Sequence, residues 1–163
     1  MGLKNKISFN NLYSNNLHYK FINNLFLVYT GSGRKSENIL SDQKKLLNKN
    51  YSNLNKLRQY AFDGKDLLIS KKYDDIGELL NDNWHIKKKL SKKITNNRLD
   101  KIYNFGLKNG AIGGKICGAG KGGYMLFYVP KSNHEIFINK FKKDILKFNV
   151  SKNGTSIILN DGW

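Results

Sequence analysis

The fold of this chain is most constrained by a glycine-rich stretch between two apolar runs, GAIGGKICGAGKGGYMLFYVP at residues 110–130. Six glycines fall between positions 113 and 123, at Gly113, Gly114, Gly118, Gly120, Gly122 and Gly123. The flanking runs are rich in residues that favour strands, and Pro130, the only proline, ends the second run. The sequence therefore predicts a β-hairpin closed by a glycine loop.

Glycines at this density allow the backbone to take positive φ and to turn several N–H groups toward one anion. Lys115 and Lys121 add positive charge to the same stretch. The candidate phosphate-binding residues are Gly114, Lys115, Gly118, Ala119, Gly120, Lys121, Gly122 and Gly123. The alternative is a hairpin turn that needs glycine for its geometry alone, although two or three glycines suffice for that purpose.

Two nucleotide-binding motifs are excluded by their context. Residues 118–123 match the dinucleotide fingerprint GxGxxG by letter, but that fingerprint needs a helix after the loop, whereas YMLFYV is a strand pattern. The loop is not a P-loop, because neither Ser nor Thr follows Gly120-Lys121. A glycine-rich hairpin remains.

The rest of the chain predicts an α+β fold. Residues 21–30 read as a buried strand, followed by helices from residue 37 to residue 108 with a turn at Gly64-Lys65. Thr95 or Asn96 is the expected N-cap of the last of these helices, and Asn109-Gly110 its C-cap. Beyond the hairpin, Ser132 and Glu135 suggest a capping box that opens a helix with Ile145 and Leu146 on its inner face, and residues 156–159 suggest a last strand. The order β, helices, β-loop-β, α, β is a split βαβ (ferredoxin-like) layout with an inserted helical region.

The net charge of +17 suggests a polyanionic partner, but its composition weakens the case for nucleic acid. Only Arg34, Arg58 and Arg98 are arginines, the residue type on which base-edge recognition depends, and the lysines are scattered through an Asn- and Ile-rich background. Compositional bias is one explanation of the charge. A non-catalytic basic module that binds RNA or another polyanion is the other.

Cysteine and hydropathy bear on the compartment. Cys117 is the only cysteine, so the chain forms no intrachain disulfide and no cysteine cluster for a metal ion. The longest apolar runs are far shorter than the roughly 20 residues of a membrane span. We expect a cytoplasmic protein with no membrane partner.

Residues 110–130 resemble the third signature of the GHMP kinases, a family that includes galactokinase, homoserine kinase and mevalonate kinase. In that family a GGK-x-x-GAG-x-GG loop lies beside the substrate and the transferred phosphate. Residues 24–40 and 76–103 resemble the branch of D-glycero-D-manno-heptose 7-phosphate kinases, the second of these through a Trp-x-x-Lys helix. The resemblance implies a sugar-phosphate kinase that uses ATP and Mg²⁺.

The resemblance covers only the C-terminal half of the family. It implies a C-terminal domain over residues 21–163 after an N-terminal lead-in over residues 1–20. The N-terminal domain with its PxxxGLGSSA-type ATP loop, and the acidic residue that serves as base, have no counterpart, so we assign no catalytic residue and no metal ligand. We therefore expect no activity from this chain alone, whether it is a truncated gene product, a fragment or one subunit of a split kinase. The expected partners are a sugar phosphate and, for a split kinase, a separate N-terminal half that would bind most of the ATP and Mg²⁺.

Three positions depart from the family pattern. Cys117 stands where mevalonate kinases often have Thr, Lys121 replaces a usual Gly, and Asn97 stands where the heptose branch often has Pro. The first puts a hydroxyl contact in doubt, and the second adds either a phosphate contact or a solvent charge.

Three candidate binding residues lie outside the loop. Trp84 and Lys87 are one helical turn apart, so an aromatic face and an ammonium group could meet the same ligand. Arg34, after Gly33, could give a guanidinium to a phosphate. The alternatives are a core tryptophan, a solvated lysine and a surface arginine.

Overall fold

A four-stranded antiparallel sheet forms the centre of the protein. The structure is a computed structural model that describes residues 19–31, 37–146 and 148. The strands are β1 (Leu25–Tyr29), β2 (Gly113–Ile116), β3 (Tyr124–Tyr128) and β4 (Ile145–Leu146), arranged in the order β2-β3-β1-β4. All three neighbouring pairs are antiparallel. This arrangement confirms the predicted α+β class and the split βαβ order.

Six helices form within the described part of the chain. They are α1 (Tyr19–Asn23), α2 (Glu37–Lys45), α3 (Tyr51–Ile69), α4 (Tyr73–Lys89), α5 (Asn97–Lys108) and α6 (His134–Phe141). Short 3-10 turns at Lys131–Asn133 and Lys142–Asp144 flank α6. Helices α2 to α5 are the predicted insertion between β1 and the hairpin, which β2 and β3 form.

The main core lies on one face of the sheet, because alternate strand residues point to the same side. Phe127 on β3 is fully buried, and its ring lies 6.1 Å from that of Tyr103 on α5 and 5.4 Å from that of Phe137 on α6. The opposite face carries Leu27, Lys115 and Leu126, since Leu126 pairs directly with both of the others. Lys115 therefore points away from this core.

Both ends of α5 form as the sequence predicts. The side chain of Asn96 accepts a hydrogen bond from the Leu99 backbone N–H at 3.0 Å. At the other end Gly110 has φ +102°, and the Ala111 N–H donates to the Gly106 carbonyl at 3.1 Å. These bonds satisfy backbone groups that the helix itself leaves without partners.

The predicted turn at Gly64-Lys65 is wrong, because both residues lie inside α3. The chain turns instead at residues 70–72, where Lys71 takes φ +61°. Gly64 faces α4, and a Cβ there would lie 3.2 Å from Leu79 Cδ2. The glycine therefore lies at a close approach of two helices and not at a turn.

The segment after the hairpin differs from the prediction in two ways. Ser132 lies in a 3-10 turn and its hydroxyl donates to Asn133 Oδ1, so the capping box does not form and α6 begins at His134. Ile145 and Leu146 are not helical, since α6 ends at Phe141 and the two residues form β4 against β1. The predicted strand at residues 156–159 lies outside the described residues, as do residues 1–18 of the lead-in.

Candidate functional site

The glycine loop, residues 117–123, joins β2 to β3 and is closed by a hydrogen bond from the Cys117 N–H to the Tyr124 carbonyl at 2.8 Å. Positive φ angles recur along it, at Gly118 (79°), Gly120 (131°), Lys121 (63°), Gly122 (157°) and Gly123 (92°). A run of such angles needs glycine at most positions. The loop conformation thus accounts for the glycine density that the sequence displays.

The glycine loop is held from two sides. The Lys121 N–H donates to the Ile94 carbonyl at 2.7 Å, and a Cβ at residue 120 would lie 2.6 Å from that oxygen. On the other side the Gly123 carbonyl accepts from the N–H and hydroxyl of the buried Thr30, at 2.9 and 2.8 Å. The backbone N–H of Lys121 is therefore used for anchoring, whereas its side chain is exposed.

Two of the candidate loop residues serve the fold. Gly114 lies inside β2, buried and paired with Phe127, where a Cβ would lie 2.5 Å from the Leu126 carbonyl oxygen. Ala119 packs against the hydrophobic core. Of the other candidates, Gly120 and Gly122 are buried and Gly118 is exposed.

Lys87 lies against the start of the glycine loop, since its Nζ donates to the Gly118 carbonyl at 2.5 Å. The contact joins the last turn of α4 to the loop across 31 positions of sequence. The structure thus brings together two residues that the sequence singled out separately.

Trp84 does not join them. Its side chain is fully buried, and the ring lies 6.1 Å from that of Tyr103 in the core. Trp84 therefore cannot present an aromatic face to a ligand beside Lys87, because its side chain is buried in the core. It is Lys88 that contacts the ring, with Nζ at 5.6 Å from the ring centroid.

A basic groove of about 610 Å³ lies between α3 and α4, and Lys115 and Lys87 both line it. Its walls are mainly apolar, with Gln43, Tyr60 and Asn83 as uncharged polar groups and Lys65 as a third lysine. No Asp or Glu is among the lining residues that the structure describes. Burial lowers the pKa of the Lys115 ammonium group below its usual value.

A second pocket, of about 500 Å³, lies where β1 ends and α5 begins. Its lining includes Arg98, Lys101 and Asp144, and the Arg98 guanidinium lies directly against Gly31. The sequence analysis missed this pocket, although Arg98 is one of only three arginines. Arg34 lies outside the described residues.

The described residues do not by themselves fit a Mg²⁺ site, since they hold no group of three or more His, Cys, Asp or Glu side chains that could bind a metal ion. His134 has a structural role: its Nε2 lies 3.1 Å from Asn24 Oδ1 and 3.0 Å from the Val129 carbonyl oxygen.

None of the described helices is long and apolar enough to cross a membrane.

Residues 65–145, from the end of α3 through the hairpin to β4, match the family model described as GHMP kinases C terminal. The chain carries a GHMP kinase C-terminal domain. The chain is 29% identical over 133 residues to the D-glycero-alpha-D-manno-heptose 7-phosphate kinase of Campylobacter jejuni, covering 78% of this chain and 39% of that protein. It is also 24% identical over 139 residues to the bifunctional fucokinase/GDP-fucose pyrophosphorylase of Arabidopsis thaliana, covering 83% of this chain and 13% of that protein.

The same fold occurs in solved kinase structures. The L. major mevalonate kinase in complex with R-mevalonate superposes with a TM-score of 0.65 at 20% identity, over 75% of this chain and 40% of that one. The GHMP kinase C-terminal domain described here thus spans about two fifths of the length of these single-function kinases.

Proposed function

We propose that this chain is the C-terminal part of an ATP-dependent sugar kinase that phosphorylates D-glycero-D-manno-heptose 7-phosphate, in the cytoplasm, and that it acts together with an N-terminal kinase half. The observation that carries the proposal is the glycine loop, fixed between Thr30 and Ile94 with Lys87 at its Gly118 carbonyl. The similarity to the Campylobacter jejuni heptose 7-phosphate kinase supports the choice of substrate.

Phosphoryl transfer depends on positioning and charge neutralisation more than on covalent chemistry by the protein. In the proposed reaction a sugar hydroxyl oxygen bonds to the γ-phosphorus of ATP, the bond from that phosphorus to the β,γ-bridging oxygen breaks, and ADP leaves. The glycine loop and the Lys121 side chain would line the transferred phosphoryl group. The N-terminal half would supply the base that takes the hydroxyl proton, most of the ATP site and the ligands of Mg²⁺, which would neutralise phosphate charge.

Reconstitution tests this proposal. The chain is mixed with a matching N-terminal kinase half, and transfer from radiolabelled ATP is measured to heptose 7-phosphate, to mevalonate and to fucose. We expect transfer to heptose 7-phosphate alone. Transfer only to mevalonate or fucose would contradict heptose 7-phosphate as the substrate. If a folded complex transfers phosphate to none of the three, the kinase assignment itself is contradicted.

A further inference from the structure

Lys115 is a half-buried cation that forms no ion pair with any Asp or Glu that the structure describes. It lies in the middle of β2, on the sheet face opposite the main core, and its side chain enters the basic groove between α3 and α4. Within the described ranges its ammonium group makes no hydrogen bond and no ion pair. Removing such a charge from water without a paired carboxylate costs free energy, which an anion in the groove would offset.

The groove is chemically suited to one class of ligand. Lys115, Lys87 and Lys65 give it positive charge with no lining carboxylate to compete, at least among the residues that the structure describes. Leu68, Leu79 and Leu80 give it apolar walls, and Gln43 and Asn83 can bond to hydroxyl groups. A phosphomonoester on a hydroxylated carbon chain matches all three properties.

The groove also opens beside the glycine loop. Lys87 lines the groove, and its ammonium group also donates to the carbonyl of Gly118, the first glycine of the loop. A ligand whose anionic end lies in the groove can therefore extend toward the loop. The two sites are joined by a single side chain.

We propose that the groove holds the phosphate group that the sugar substrate already carries, between Lys115 and Lys87, while the reacting hydroxyl lies at the glycine loop. The inference rests on the proposed function for the identity of the sugar. It divides the candidate lysines into two groups: Lys115 and Lys87 recognise the existing phosphate, and Lys121 faces the phosphate that is transferred.

Binding to the 163-residue chain tests the proposal without ATP. Calorimetric titration compares heptose 7-phosphate with the unphosphorylated heptose for the wild type and for Lys115→Met, Lys121→Met and the exposed control Lys56→Met. Methionine keeps much of the apolar stem and removes the charge. We expect Lys115→Met to weaken binding of heptose 7-phosphate at least about tenfold, because a charged hydrogen bond to phosphate is lost, and the other two variants to change it less than about threefold.

Three outcomes would overturn the proposal: equal binding of the phosphorylated and unphosphorylated sugars, unchanged binding by Lys115→Met, or an equal loss in Lys121→Met. Amide chemical shifts on addition of heptose 7-phosphate give a second measurement, and they should move in α3, α4 and β2. These results are separate from the proposed reaction. If Lys115→Met loses binding but the reconstituted kinase transfers no phosphate, the phosphate site is supported and the kinase assignment is contradicted. If the reconstituted kinase transfers phosphate and Lys115→Met does not change the rate, the kinase assignment is supported and the phosphate site is contradicted.

Discussion

Gly120 occupies a position where a side chain has no room. Its φ of +131° is one that other residues rarely adopt, and a Cβ would meet the Ile94 carbonyl oxygen, which accepts the Lys121 N–H. We expect Gly120→Ala to lower the free energy of unfolding by about 1 to 3 kcal/mol. Urea unfolding followed by circular dichroism measures this. A variant as stable as the wild type would mean that the loop is not held at Ile94.

Lys115 gives a pH-dependent prediction. Its pKa is lowered by burial, so between that pKa and the ordinary value of 10.5 the unfolded chain binds more protons than the folded chain, and stability should rise with pH across that window. At pH 7 both states are protonated and the folded state carries the desolvation cost. Lys115→Met should therefore be more stable at pH 7, by a few tenths to about 1 kcal/mol, and should lack its share of the alkaline rise.

Urea unfolding at pH 7 and at alkaline pH measures both effects, and Lys56→Met is the control for removing a lysine from an exposed helix position. If Lys115→Met were less stable than the wild type at pH 7, Lys115 would have a favourable partner in the folded chain.

Sequence patterns predicted the role of a single residue only where that role depends on the residue's own backbone preference and not on tertiary contacts. Glycine density predicted the loop, because positive φ is a property of the residue itself. The spacing of Trp84 and Lys87 predicted that they are helical neighbours, but it could not tell which side of α4 faces the core, and the tryptophan proved to be buried. Arg98 was missed as a binding candidate because it is brought to Gly31 only by tertiary packing.

At the scale of elements, glycines within helices mark the contacts between helices and their neighbours. A Cβ at Gly64 on α3 would lie 3.2 Å from Leu79 Cδ2, the end of a half-buried side chain that can move. A Cβ at Gly106 on α5 would overlap the ring of the fully buried Phe127. The two positions therefore predict opposite responses to the same substitution.

Gly64→Ala should be neutral or should raise stability by up to about 1 kcal/mol, since alanine is the better helix former. Gly106→Ala should lower stability by about 1 to 3 kcal/mol, since the core has no space for the methyl group. Thermal and urea unfolding of the matched pair measures the difference. Similar values for the two variants would contradict the packing of α5 on β3.

Cap residues predicted α5, and runs of strand-forming residues predicted the hairpin and β1, although residues 21–23 of that predicted strand belong to α1. Short or context-dependent elements were predicted wrongly. Residues 145–146 continue the apolar spacing of α6, and only pairing with β1 makes them a strand. Gly64 suggested a turn because glycine is a poor helix former, but close packing of α3 and α4 selects it there. In both cases a tertiary contact outweighs a local preference.

At the scale of the whole molecule, the lysines behind the net charge of +17 fall into two groups: a few that line the basic groove and many that are scattered over the surface. Lys115 and Lys87 are placed in the basic groove, while most other lysines on the described helices are exposed. A dispersed charge predicts only weak, unspecific retention on RNA, lost by about 0.2 M salt. Salt elution from immobilised RNA measures this, and retention at higher salt that Gly120→Ala does not affect would favour the polyanion-binding alternative.

The account as a whole depends on the glycine loop taking part in phosphoryl transfer, and a transfer assay on the reconstituted kinase tests this most directly. Wild type, Gly120→Ala and the control Gly106→Ala, which lies outside the groove and is expected to lose a similar amount of stability, are each combined with the N-terminal half. Formation of the bisphosphate from ATP and heptose 7-phosphate is followed by ³¹P NMR. We predict transfer by the wild type and by Gly106→Ala, and a loss of at least about tenfold in Gly120→Ala under conditions where both variants remain folded. Equal rates for all three proteins, or no bisphosphate from the wild type, would contradict the account.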